Sequence, residues 1–205
     1  MDWDFLQLIT LRGELKNKHP DQEQQLINQI KQGDMDAFRQ IVEQYKEVSL
    51  SLAVSILKNK TLAEDVLQEV FIKVFQKIKT FNAKTAFATW LYRIVVNTSY
   101  NELKRQKRQL QIDGVSEELM RVSIEQNSIL ERETQKIYIN QALAQLTTNE
   151  ALILRLFYLG ELSIKEIAKV TDFKPSKIKV NLHRGRKNLE FQLKNMLGDE
   201  IKYLL

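Results

Sequence analysis

Three short strings constrain what this chain can fold into. Thr61-Leu62-Ala63-Glu64, Thr147-Thr148-Asn149-Glu150 and Ser163-Ile164-Lys165-Glu166 each put a hydroxyl at a helix N-cap and a carboxylate three residues later. That pair satisfies two backbone amides that the first turn of a helix otherwise leaves without partners, so each string predicts a helix start. After the first of them, Leu62/Ala63, Val66/Leu67, Val70/Phe71, Val74/Phe75 and Ile78 recur at helical spacing. An apolar stripe of that kind has to be buried against neighbouring elements.

The neighbours are close in sequence. Leu26, Ile27 and Ile30 run to Gly33, a good residue to end a helix, and Asp34 can cap the next one, with apolar Ala37, Phe38, Ile41, Val42 and Tyr45. Leu50, Leu52, Ala53, Ile56 and Leu57 continue the pattern, and a helical module over residues 25–108 results. Only six Gly and two Pro occur in 205 residues, and 43% hydrophobic residues exclude a disordered chain. Between 109 and 136 the periodicity lapses. Gly114 and the acids Asp113, Glu117, Glu118, Glu125, Glu131 and Glu133, against Arg121 and Arg132, read as an acidic linker. Ile137, Ala142, Leu143 and Leu146 restore the pattern, giving a smaller module of four helices over 137–197. Residues 1–24 form an N-terminal extension without an assigned role, and 198–205 a C-terminal tail. The expected fold is all-α: two helical domains joined by a linker, the C-terminal one a helix-turn-helix.

The helix-turn-helix reading rests on spacing. The helix opened by Ser163 ends near Thr171, Asp172-Phe173-Lys174 turn the chain, and Pro175 suits the first position of a new helix. Ile164, Ile167, Ala168 and Val170 can then face a core shared with Phe173, Ile178, Leu182 and Leu189. Lys174, Lys177, Lys179, His183, Arg184, Arg186 and Lys187 stay largely outward, as a helix needs if it is to enter a major groove and touch phosphates. The bland alternative is a solvated basic face on an ordinary helical hairpin.

A second basic element closes the first module. Trp90, Arg93, Asn97, Tyr100 and Lys104 fall on one stripe of a helix from Phe87 to Arg108, extended by Arg105, Lys107 and Arg108. Aromatic rings among cations suit unstacked bases and their backbone, since a ring stacks on any base. The competing reading packs Trp90 and Tyr92 into the core. Net charge of +5 agrees with an anionic partner without choosing one.

Other classes are excluded or disfavoured. No cysteine occurs, so there are no disulfides or thiolate metal sites. The acidic start Met1-Asp2-Trp3-Asp4 is no export signal, and no apolar run of about 18 residues offers a membrane span, so a soluble cytoplasmic protein is expected. His19 and His183 lie far apart, and no phosphate-cradling loop, metal-ligand spacing or nucleophile motif is present. No catalytic residue, metal, cofactor or small-molecule substrate is expected.

Taken in order, these strings resemble the extracytoplasmic-function (ECF) group of bacterial RNA polymerase sigma factors. The carriers are Leu26-Ile27, Gly33-Asp34 and Ala37-Phe38; Ala63-Glu64-Asp65-Val66-Leu67-Gln68-Glu69-Val70-Phe71; and Phe87-Ala88-Thr89-Trp90-Leu91-Tyr92-Arg93-Ile94 with Asn97. The far module adds Leu162-Ser163-Ile164-Lys165-Glu166-Ile167-Ala168 and Lys179-Val180-Asn181-Leu182-His183-Arg184-Gly185-Arg186-Lys187. The resemblance implies that the first module binds core RNA polymerase through Asp65, Gln68 and Glu69. It further implies that this module takes the melted minus-ten element of promoter DNA with Asn82, Lys84, Trp90, Tyr92, Arg93, Asn97, Lys104 and Arg105. The second would read the minus-thirty-five duplex with Lys174, Ser176, Lys177, Lys179, Val180, His183, Arg184, Arg186 and Lys187. It also implies an anti-sigma partner, and an acidic linker threading a polymerase channel that otherwise holds nucleic acid.

Two departures stand out. Ser176-Lys177 and Val180-Asn181 occupy positions where the family usually has Gly-Thr and Ser-Arg pairs. Gly185 replaces the customary alanine, at about 0.8 to 1 kcal/mol of helix propensity, and suits a close backbone approach. Two other classes compete: a helix-turn-helix regulator that binds duplex operators without a polymerase role, and an RNA-binding adaptor.

Overall fold

The structure is a computed structural model that describes residues 20–113 and 131–198. Of the linker expected over 109–136, residues 114–130 lie outside the described residues, as do most of the N-terminal extension and residues 199–205, while 109–113 and 131–136 are helical. Those described form eight α-helices, with no strand among them: α1 Pro20–Lys31, α2 Met35–Leu57, α3 Lys60–Lys77, α4 Phe87–Asp113, α5 Glu131–Gln145, α6 Thr148–Tyr158, α7 Ile164–Thr171 and α8 Pro175–Leu197. A 3-10 turn, Ile78–Thr80, follows α3.

Local chemistry explains most of the boundaries. Gly33 at φ 98° ends α1, and the Asp34 carboxylate accepts from the amides of Asp36 and Ala37 at 2.9 and 3.0 Å to open α2. Thr147 and Ser163 form full capping boxes with Glu150 and Glu166. The third expected box fails. Asn59, not Thr61, caps α3, its side-chain oxygen accepting from the Leu62 amide at 3.0 Å, so the helix begins at Lys60. A short amide acceptor two residues upstream won, because Asn is at least as good a cap as Thr. The first helix also starts earlier than its apolar pattern suggests. Pro20 opens it, Asp21 and Glu23 stand in its first turn, and the Tyr45 hydroxyl donates to Glu23.

In the first module α2 lies at the centre. Ile41, Tyr45, Leu52 and Ile56 are at most 2% exposed and pack among α1, α3 and α4 with Val66, Val70, Val74, Phe87, Leu91 and Val95. Each aliphatic side chain taken from water contributes about 1.5–3 kcal/mol. In the second module α6 is the core, with Ala151 through Leu156 all buried. Ile178, Leu182, Leu189 and Leu193 of α8 cover one side of it. At Gly185 the two helices pack tightly: a Cβ there would stand 3.0 Å from Leu154 Cδ1 and 3.3 Å from Glu150 Cβ. The close approach expected from the sequence is therefore present. Gly185→Leu is expected to lower stability by about 1–3 kcal/mol in urea unfolding, by forcing α6 and α8 apart.

The modules do not stand apart as a tether between them suggests. α2 packs on α6 and α4 packs on α7. Arg155 Nε of α6 donates to Ser51 Oγ of α2 at 2.6 Å, and Lys58 Nζ donates to the carbonyls of Ala144 and Leu146 at 3.2 and 3.3 Å. Thr89 Oγ1 reaches Glu166 Oε1 at 3.5 Å, and Arg93 Nη2 reaches Asp172 Oδ1 at 3.4 Å. The cause is legible in α6 itself. A helix apolar around its whole circumference needs cover on more than one side, and α8 supplies only one.

Candidate nucleic-acid interface

The helix-turn-helix is built as its spacing predicts. Asp172, at φ 56°, ends α7 in the left-handed region, and Pro175 occupies the start of α8. Lys174 caps α8 without a side-chain bond, leaving the positive end of the helix dipole facing outward. Ile167, Val170, Ile178 and Leu182 are buried between the two helices, with Ile164, Ala168 and Phe173 half-buried around them. Glu166 is tied in firmly. Partial burial works against its charge, but bonds from the Ser163 hydroxyl and amide, the Thr89 hydroxyl and nearby Lys169 outweigh it and hold the carboxyl below its usual range.

On the outward face of α8, Ser176, Lys177, Lys179, Val180, His183, Arg184 and Lys187 are all exposed, as is Lys174 before them. Helical geometry puts 176, 179, 180, 183, 184 and 187 on adjoining stripes of one surface. Lys177 Nζ sits 3.4 Å above the Phe173 ring, which holds its charge beside the turn. Arg186 is the exception. Its Nε donates to the Tyr158 hydroxyl at 2.8 Å and its guanidinium lies over the Phe157 and Tyr158 rings, so it braces α8 on α6.

The second basic surface runs along α4. Arg93, Asn97, Lys104 and Arg105 are exposed, and Lys104, Arg105 and Arg108 line a shallow depression with Asn101 and Gln109. Sequence reasoning misses Asn101 because an isolated amide carries no periodic signal. Arg105 is bound by Glu102 through two contacts of 2.8 Å, which raise the guanidinium pKa and offset its positive charge. Trp90 is half-buried, its ring 5.2 and 5.6 Å from Phe81 and Phe87, so one edge remains available.

Tyr92 is a correction. At 2% exposure it belongs to the core, where its ring lies 6.0 Å from that of Tyr45, and burial raises its hydroxyl pKa. It cannot touch a nucleic acid in this arrangement. Position 92 lies two residues from Trp90, on a different helix face from the Trp90–Arg93–Asn97 stripe.

Asn82 and Lys84 are exposed on the loop between the 3-10 turn and α4, where the Asn82 side-chain Oδ1 accepts from the Lys84 backbone amide at 3.2 Å. Lys31 anchors the base of this loop by donating to the Phe81 carbonyl at 2.6 Å, a contact across 50 residues that no local pattern announces.

On α3, Asp65, Gln68 and Glu69 are exposed at i, i+3 and i+4, and Glu69 pairs with Lys73 at 2.5 Å. The same face continues into Ile72, which is 58% exposed, and Phe75 at 36%. The apolar stripe counts Phe75 with the core. Its ring instead packs beside Phe38 at the surface, 5.0 Å between centroids. Acids bordering exposed apolar side chains suit a protein partner and repel DNA. Among the described residues, no group of three or more His, Asp or Glu could hold a metal ion, and no helix is long and apolar enough to cross a membrane.

The comparisons with known proteins agree with this arrangement. Residues 41–109 match the Sigma-70 region 2 family and residues 136–189 the Sigma-70 region 4 family. The chain is 31% identical over 188 residues to the ECF RNA polymerase sigma factor SigW of Bacillus subtilis, covering 83% of this chain and 96% of that one. It is 28% identical over 185 residues to the ECF RNA polymerase sigma-E factor of Escherichia coli, covering 85% and 96%. Two solved structures share the fold. One is CnrH in complex with the cytosolic domain of CnrY, at TM-score 0.57 and 20% identity over 85% of this chain and 98% of that one. The other is the sigma factor RpoE with the anti-sigma factor NepR from Bartonella quintana, at TM-score 0.62 and 23% identity over 77% and 96%. With both regions matched in order and a relative covered almost end to end, the chain belongs to the ECF RNA polymerase sigma factors, initiation factors that direct core polymerase to promoter DNA.

Proposed function

We propose that the two modules divide the promoter between them. The module of α1–α4 docks on core polymerase through Asp65, Gln68 and Glu69, with Ile72 and Phe75 adding apolar contact, and takes the melted minus-ten strand. Asn82 and Lys84 on the loop, with Trp90, Arg93, Asn97, Lys104 and Arg105 on α4, are the residues that meet that strand. The module of α5–α8 reads the minus-thirty-five duplex through Lys174, Ser176, Lys177, Lys179, Val180, His183, Arg184 and Lys187. Tyr92 and Arg186 act in packing instead.

The observation that carries this reading is the exposed face of α8, where cations surround a helix N-terminus that is itself positive. If about five of these cations meet phosphates, log affinity for duplex falls with log salt at a slope of roughly −4 to −5. The chain contributes no catalysis, works in the cytoplasm, and answers to an anti-sigma factor, as the similar RpoE does in its complex with NepR. Footprinting of the chain with core polymerase tests the division. Two protected patches about 25 base pairs apart are expected, with permanganate-reactive thymines only in the downstream one. A single duplex patch formed equally well without polymerase would favour the regulator reading.

A further inference from the structure

Lys31 ends α1 with a side chain that turns inward. A cation in the last turn of a helix ordinarily answers the carbonyls of that turn. Lys31 is instead half-buried, its ammonium donating to the Phe81 carbonyl at 2.6 Å and standing 5.9 Å from the centroid of the Phe81 ring.

The carbonyl that it holds belongs to the same peptide unit as the Asn82 amide. That unit is planar, so fixing its oxygen fixes the direction in which the chain leaves the core for the loop. The rest of Phe81 is held too. Its ring is buried, edge-on to Phe87 at 5.6 Å and 5.2 Å from Trp90, and its amide bonds the Ile78 carbonyl at 3.1 Å. Phe87, buried at the start of α4, pins the other end. Between these anchors Asn82 Oδ1 accepts from the Lys84 amide at 3.2 Å, and Ala83 stands at φ 54°, a left-handed conformation that a residue with a Cβ rarely takes. A residue stays there when its surroundings hold it. Among the described residues, the other hydrogen bonds of residues 81–86 are local, reaching only Ile78, Lys84 and Trp90; the Lys31 bond comes in from 50 residues away.

We propose that Lys31 is the positioning residue of the minus-ten loop. Its bond sets the Phe81–Asn82 peptide so that Asn82 and Lys84 meet the unpaired base in a shape already ordered. Binding then avoids the cost of ordering the loop. The base preference of the loop thereby depends on a cation that does not itself touch DNA. This inference rests on the assignment of Asn82 and Lys84 to the minus-ten strand made above.

The test uses the full chain with core polymerase, on the strongest promoter that the wild type opens in run-off transcription of host DNA. Fragments of that promoter carry a pre-melted minus-ten segment, with each of the four bases placed in turn at every single-stranded position. The wild type should prefer one base at the position that the loop takes. Lys31→Met keeps an apolar stem and removes the donor; Lys31→Ala removes both, so that no effect can come from the Met side chain. Each should cut that preference about tenfold, the scale of one lost charged hydrogen bond, and leave the other positions unchanged. Lys31→Arg keeps a charged donor and should keep the preference. The salt slope should also stay that of the wild type. A slope flattened by about one, with every base weakened equally, would make Lys31 a phosphate contact and overturn the proposal. Preferences unchanged in both donor-less variants would overturn it as well, and so would preferences lost at every position together with a lowered melting temperature, since Lys31 would then act on the fold at large. If the wild type opens no promoter, or if Asn82→Ala with Lys84→Ala leaves every preference as it was, the promoter reading itself fails and the positioning role with it.

Discussion

Asp65→Arg combined with Glu69→Arg is expected to weaken binding to core polymerase about 100-fold and leave the fold intact. Both carboxylates are exposed on α3, one turn apart, and neither caps a helix nor enters the core. Setting like charge against a surface shaped for acids costs several kcal/mol, more than losing the attraction alone. The internal cost is small: Glu69 gives up an exposed bridge to Lys73, a pair worth about 0.3–0.5 kcal/mol on a helix. Co-purification with polymerase checks the first part and thermal unfolding the second. Equal loss of both would mean that the substitutions act through folding.

The second large effect concerns duplex recognition. Lys177→Ala with Arg184→Ala should lower affinity for the minus-thirty-five duplex about 100-fold, taking roughly 1–3 kcal/mol for each lost base-edge contact. The salt slope should flatten by about one for each phosphate contact removed. Arg184 is exposed and Lys177 gives up only its place over the Phe173 ring, worth about 0.5–1 kcal/mol, so stability should change little. Arg186→Ala makes the contrast. It breaks the bond to the Tyr158 hydroxyl and should destabilise the second module more than it weakens binding at saturating folded fraction. Anisotropy titrations across a salt series, beside urea unfolding, separate the two kinds of effect.

What the sequence disclosed and what it hid follow from the range of the interactions. Caps and apolar periods act within one or two turns, so Asp34, Thr147, Ser163, the turn at Asp172 and the outward cations of α8 could all be read from the string. The fold class followed from them. Asn59 outcompeted Thr61 because two acceptable caps stood two residues apart, and local pattern does not rank them. Tyr92 went astray because adjacency to Trp90 and Arg93 in sequence is not adjacency on a helix. Phe75 lay at the margin of its apolar stripe and fell outside the buried part. The seam between the modules was the least legible feature. Arg155 carries no local signal of burial, yet in the fold it is buried and bonds Ser51 of α2, 104 residues away in sequence.

The central claim is that this chain gives core polymerase its promoter. Run-off transcription with purified chain, active core polymerase and sheared genomic DNA from the native host tests it directly. Discrete transcripts that require the chain, and that vanish with Asp65→Arg/Glu69→Arg, are the expected result. Polymerase that binds the chain yet starts nowhere that it does not start alone would contradict the account.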